Sequence, residues 1–146
     1  MHNSKKTGFK KKSSARRFAM QALYSWMISK NDLSLVEQHY LQERNPKNFD
    51  VDYFKLLLRN IPLNQEQLDQ SIVKYSDRDL KQLDPVELSI LRIASYELIF
   101  CEHIPFKVII SEALELVVMF GSDTSYKFIN AVLDRLAKDC REINKD

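Results

Sequence analysis

An all-α fold is what the sequence predicts, and three observations predict it. The 146 residues include only 2 glycines and 4 prolines, the two types that interrupt helices and punctuate turns. From Ala15 onward, apolar residues recur at spacings of three and four, the period of one helix face. No stretch reads convincingly as a strand: Val108-Ile109-Ile110 has strand-like chemistry, but the periodicity on either side makes it helix core. A chain of this length fits one domain and buries a core without disulfides or metals to staple it.

The first helix is expected from about Ser14 to Ser29, with Ala19, Leu23, Trp26 and Met27 on one face, and Asn31-Asp32 breaks it. Leu35, Val36, His39 and Tyr40 mark a second helix that ends near Arg44. There Asn45-Pro46 turns the chain, because a residue before proline is biased away from helix. A third covers about Val51 to Asn60, turns Phe54, Leu57 and Leu58 inward, and is ended by Pro62. Asn64 and Gln67 have the spacing of a capping box, opening a helix that carries Leu68, Ile72 and Val73. Asp84-Pro85-Val86-Glu87 is a clearer start. Asp84 can accept from the orphan amides, Pro85 suits the first helical position and Glu87 complements the dipole. The helix that follows, to about Cys101, carries Ile90, Leu91, Ile93, Ala94, Leu98 and Ile99, a surface broad enough for the centre of a bundle. Ile104-Pro105 starts the next, which runs to about Phe120, with Gly121 where a left-handed C-cap would sit. Ser122 to Thr124 suit the opening of the last helix, which turns Phe128, Ile129, Val132, Leu133, Leu136 and Cys140 inward. The total is about seven helices.

The net charge of +2 hides an uneven distribution. Residues 1–17 hold Lys5, Lys6, Lys10, Lys11, Lys12, Arg16 and Arg17 and no acid, while the rest of the chain has 15 basic and 20 acidic residues. A basic arm on a mildly acidic body is an electrostatic footprint for a polyanion, or else a solvated tail. Cys101 and Cys140 form no CxxC pair, and the N-terminus lacks the apolar stretch of a signal peptide; both features suit reduced thiols in a cytoplasmic protein. No apolar run is long enough for a transmembrane helix.

Catalysis finds little support. His2, His39 and His103 have no ligand partners at metal-binding spacing. Cys101 and His103 are close in sequence but should point apart near a helix end, and Cys101 reads as a core thiol. Two isolated glycines cannot build a phosphate-cradling loop. Glu112 and Glu115 read as an outer helix edge. Single-stranded RNA binding fits better, because it needs cations for phosphate and flat side chains for bases. The arm leads into Arg16, Arg17 and Tyr24, and Lys127 and Phe128 follow the corner at Phe120-Gly121-Ser122. Tyr24 and Phe128 can equally be packed side chains.

Four blocks carry a family resemblance: Ala15–Trp26, Val86–Leu98, Pro105–Leu116, and Phe120-Gly121-Ser122 with Lys127–Asp134. In this order they resemble the NusB family of bacterial transcription antitermination factors, over nearly the whole chain from about residue 10. The resemblance implies two packed three-helix bundles, with residues 1–13 as a flexible basic arm and 14–146 as a single helical domain. It implies binding of boxA RNA together with the ribosomal protein NusE, and entry into the RNA polymerase elongation complex with other Nus factors, as in ribosomal RNA transcription. It implies no cofactor and no membrane.

RNA contacts implied by the resemblance fall on Lys10, Lys11, Lys12, Arg16 and Tyr24, and on Glu87, Arg92, Phe120, Gly121, Ser122, Lys127 and Phe128. Arg92 either forks to RNA or pairs with Glu87. Two positions depart from the family pattern: Thr124 stands where relatives often have an acid, and Ala131 where they often have glycine. Thr124 can still cap the last helix. The rival readings are a helical protein–protein adaptor with a merely solvated arm, a methyltransferase-associated domain, and a cysteine enzyme. The second lacks room for a catalytic domain.

Overall fold

The structure, a computed structural model, describes the backbone of residues 2–141 and side chains from residue 6 onward. The side chains of His2 and Lys5 therefore lie outside the described residues. Among those described there are seven α-helices and no strand, divided into one unit up to Leu63 and another from Asn64.

In the first unit α1 (His2–Ser29), α2 (Leu33–Glu43) and α3 (Val51–Leu63) pack on one another. α1 buries Ala15, Ala19, Met20, Ala22 and Leu23, and α3 buries Tyr53, Phe54, Leu57, Leu58 and Ile61, whereas α2 buries only Val36. Full burial of one such large side chain stabilises by about 1.5–3 kcal/mol, which makes α1 and α3 the core of this unit. α1 starts well ahead of the expected Ser14. The Lys-rich stretch has no apolar period to read, but lysine is a good helix former and an existing helix extends at one hydrogen bond per residue. The helix ends at Lys30, whose φ of 59° is left-handed and whose N–H donates to the Trp26 carbonyl at 3.0 Å. After α2, the Asp50 N–H donates to the Lys11 carbonyl (3.1 Å), and the Asp50 carboxylate accepts from Tyr53 N–H (3.0 Å) to cap α3. α3 passes the expected end at Asn60 and includes Pro62 in its last turn, where a proline removes only one backbone bond.

The second unit holds α4 (Gln65–Tyr75), a 3-10 turn (Leu80–Gln82), α5 (Pro85–Phe100), α6 (Phe106–Phe120) and α7 (Asp123–Cys140). α5 is its axis: it packs on α4, α6 and α7, and every residue from Ser89 to Leu98 is buried. The start of α5 is the capping box that Asp84 and Glu87 foreshadow. Glu87 N–H donates to Asp84 Oδ1 (2.8 Å), and Asp84 N–H donates to Glu87 Oε1 (3.2 Å). The box expected at Asn64 and Gln67 does not form. α3 runs almost directly into α4, and Asn64, at φ −108° and ψ 15°, lacks the extended backbone that aims a cap side chain at the helix.

Gly121 also departs from expectation. Its φ is −106°, so it is no left-handed cap. Glycine is required there by distance: a Cβ would lie 3.0 Å from both Val117 Cγ1 and the Val117 carbonyl oxygen. The far end of α5 is closed by Arg141. Its guanidinium donates to the carbonyls of Leu98 (2.9 Å), Cys101 (3.0 Å), Ile104 (2.9 Å), Glu97 (3.3 Å) and Glu102 (3.4 Å). A cation there satisfies orphan carbonyls and faces the negative helix end.

Candidate nucleic-acid interface

The candidate residues form one cluster in each unit. In the first unit all five lie on α1. Lys10 is exposed, Lys11 and Lys12 are half-buried, and Arg16 is buried at 3 % exposure. Lys12 Nζ and Arg16 Cζ lie 5.2 and 5.4 Å from the centroid of the Tyr53 ring, within cation–π range. Beside them, Arg17 and Arg44 sit over Phe18, at 5.0 and 4.6 Å, and Arg44 also covers Tyr40 at 4.1 Å. Tyr24 keeps 39 % exposure, so its ring is open to a stacking partner. The first turns of α1 carry lysines and no acid, opposite to what the positive N-terminal pole of a helix favours. An anion there is stabilised by lysines and helix pole together.

In the second unit a polar chain joins most of the remaining candidates. Ser122 caps α7 by accepting from Ser125 N–H at 3.1 Å, and its hydroxyl donates to Ser125 Oγ at 3.1 Å. Capping thus falls to Ser122, not Thr124, because only Ser122 precedes the first turn. The Ser125 hydroxyl donates to Glu87 Oε2 at 2.6 Å, which also accepts from Arg78 Nη1 at 3.2 Å. Arg78 Cζ in turn lies 4.1 Å from the centroid of the half-buried Phe128 ring. Glu87, Gly121, Ser122 and Phe128 are thereby brought to one place, with Lys127 exposed next to them. A cleft of about 410 Å³ opens there, lined among others by Arg78, Thr124, Lys127, Phe128 and Arg135. Phe120, at the end of α6, is 37 % exposed.

Arg92 has a different setting. Its guanidinium forks onto Asp69 of α4 at 2.8 and 2.9 Å and is nearly buried. It does not pair with Glu87, because five residues place the two roughly 140° apart around α5. Buried Glu87 takes Arg78 and Ser125 instead.

Sequence reading missed Arg78, Ser125 and Asp69. Arg78 sits between two aspartates with no periodic pattern around it, and Ser125 and Asp69 are ordinary helix residues. Each matters only through a residue far away in the chain, and one sequence holds no signal of that.

The family model described as the NusB family matches residues 13–138. The chain belongs to the NusB family. Its function is accordingly transcription antitermination, a regulatory role. The transcription antitermination protein NusB of Colwellia psychrerythraea is 44 % identical over 124 residues, covering 85 % of this chain and 90 % of that protein. NusB of Legionella pneumophila is 42 % identical over 138 residues, 94 % of each chain. Among solved structures, T. maritima NusB superposes with a TM-score of 0.74 at 29 % identity, covering 90 % of this chain and 96 % of that one. A crystal structure of the antitermination factors NusB and NusE with dsRNA superposes at 0.79 and 27 % identity, covering 87 % and 96 %. The two departures from the NusB-family pattern, Thr124 and Ala131, both line the cleft. No helix among the described residues is long and apolar enough to cross a membrane.

Proposed function

We propose that this protein binds boxA-type single-stranded RNA together with NusE and joins the RNA polymerase elongation complex with other Nus factors, as in ribosomal RNA operons. It does so in the cytoplasm, as a binding protein without catalysis or cofactor. The observation that carries this reading is the likeness, over most of the chain, to a NusB that was crystallised with NusE and RNA. The charge distribution supports it, since residues 1–17 hold seven cations and no acid. Residues 1–13 serve as a flexible basic arm on a single helical domain, residues 14–146. Lys10, Lys11 and Lys12 neutralise phosphates, and the exposed Tyr24 and Phe120 offer stacking faces. Glu87, Ser122 and Gly121 hold the shape of the cleft in which Lys127 and Phe128 meet RNA, while Arg16 and Arg92 position the helices behind the contact surfaces.

The RNA in the related complex is double-stranded, and this favours a second reading: recognition of duplex backbone without base readout. Fluorescence anisotropy separates them, using labelled boxA RNA, a scrambled strand and a duplex, each with and without NusE. Selective binding of the boxA strand that strengthens with NusE is expected. A preference for duplex selects the second reading. Equal, weak binding to all three leaves the arm as a solvated tail and the chain as a protein adaptor.

A further inference from the structure

Arg78 is held unlike an ordinary surface arginine. A guanidinium has five N–H donors in a rigid fork. Nη1 is committed to Glu87 Oε2 at 3.2 Å, and Cζ lies 4.1 Å from the Phe128 ring centroid. Its backbone is pinned as well: Ser76 Oγ accepts from Arg78 N–H at 2.9 Å and donates to the Arg78 carbonyl at 2.8 Å. Nε and Nη2 have no acceptor among the described residues, and the side chain remains 30 % exposed on the wall of the cleft. A group fixed on both sides with donors left over has lost its conformational entropy before any ligand arrives. The same contact occupies one face of Phe128, so that ring supports Arg78 and does not offer that face to a base.

The charge in the cleft chooses among ligands. Lys127 and Arg135 join Arg78, but Asp77 and Asp123 stand in the same lining. Two carboxylates weaken the site for a phosphate and suit a neutral ligand that presents both acceptors and donors. An unpaired base is such a ligand. Guanine offers the adjacent acceptors O6 and N7 that an arginine fork matches, and its amino group can donate to a carboxylate.

We propose that Arg78 reads an unpaired guanine of the bound RNA in the cleft at the start of α7, with Phe128 and Glu87 as the residues that position it. This inference rests on the RNA-binding function proposed above. The test uses the full chain with NusE and three labelled boxA-type single strands. One carries guanine, one has 7-deazaguanine in its place, which lacks the N7 acceptor, and one has adenine. The unaltered protein should favour the guanine strand over the adenine strand by roughly five- to 150-fold, with the 7-deaza strand in between. Arg78→Lys keeps the charge and loses the fork, and should abolish that preference while leaving affinity for the adenine strand and its salt dependence unchanged. Indifference of the unaltered protein to 7-deazaguanine overturns the assignment without reliance on any variant. An equal loss on all three strands with Arg78→Lys overturns it in favour of a phosphate contact. Selective boxA binding without guanine discrimination rejects only the role of Arg78, whereas no selectivity against a scrambled strand rejects the RNA reading itself.

Discussion

At Gly121 the residue type is set by distance to a neighbour and not by a dihedral angle. A methyl there meets the Val117 carbonyl at 3.0 Å, and that carbonyl accepts the Gly121 N–H that ends α6, so relief means opening the last turn. Gly121→Ala should therefore destabilise by about 1–3 kcal/mol, seen as a lower urea midpoint; an unchanged midpoint would mean that the corner shifts freely. Arg141 is the opposite case, a side chain whose reach decides its value. It gathers five carbonyls at the end of α5 and in the turn that follows. A hydrogen bond from a charged donor contributes about 1.5–3 kcal/mol. Arg141→Ala should cost at least one such bond, and Arg141→Lys should recover only part of it. Equal stability of Arg141→Ala and the unaltered protein would show that water serves those carbonyls equally well. The positions of Gly121 and the Asp84–Glu87 cap are legible in the sequence, because the residues concerned are three or four apart. The reason for Gly121 is not, since it lies in the packing of a valine.

Between elements, α2 and α3 are joined by a fork from Arg59 to Glu37 at 2.7 and 2.9 Å. The hydrogen bond from Arg59, more than its charge, holds the Glu37 carboxyl below the ordinary glutamate range, against the opposing effect of partial burial. A carboxyl depressed in the folded state adds stability above its unfolded range and loses it as the pH falls through the folded value. Thermal melts of the unaltered protein and Glu37→Gln should differ near neutrality and converge in acid. A constant gap between the two curves would show that the pair contributes nothing dependent on ionisation. The effect should be small, because Arg59 is exposed and solvent screens the pair. Helix existence and order were readable throughout from period and punctuation. The start of α1 was not, because a run of lysines has no apolar face to mark it.

Across the whole molecule, charge follows the division of the chain. Residues 1–63 hold 12 basic and 5 acidic side chains, and residues 64–146 hold 10 and 15. If the arm meets phosphate, converting Lys6 and Lys10 to glutamine should lower the log–log salt slope of RNA binding by up to about 1.4, at about 0.7 per phosphate on a single strand. Both side chains are exposed, so the melting temperature should not move. An unchanged slope would make the arm a solvated tail. The sequence by itself determined the helical class, the order of the elements, the cap of α5, the basic arm and the family, because these reside in composition and in neighbours a turn apart. Only the tertiary structure decided that Arg92 belongs to Asp69, that Glu87 joins Ser125 to Arg78, and that Arg78 rests on Phe128. Those pairings link residues far apart in the chain, and which of them meet is settled by how helices pack around α5, a property that no local pattern of side chains encodes.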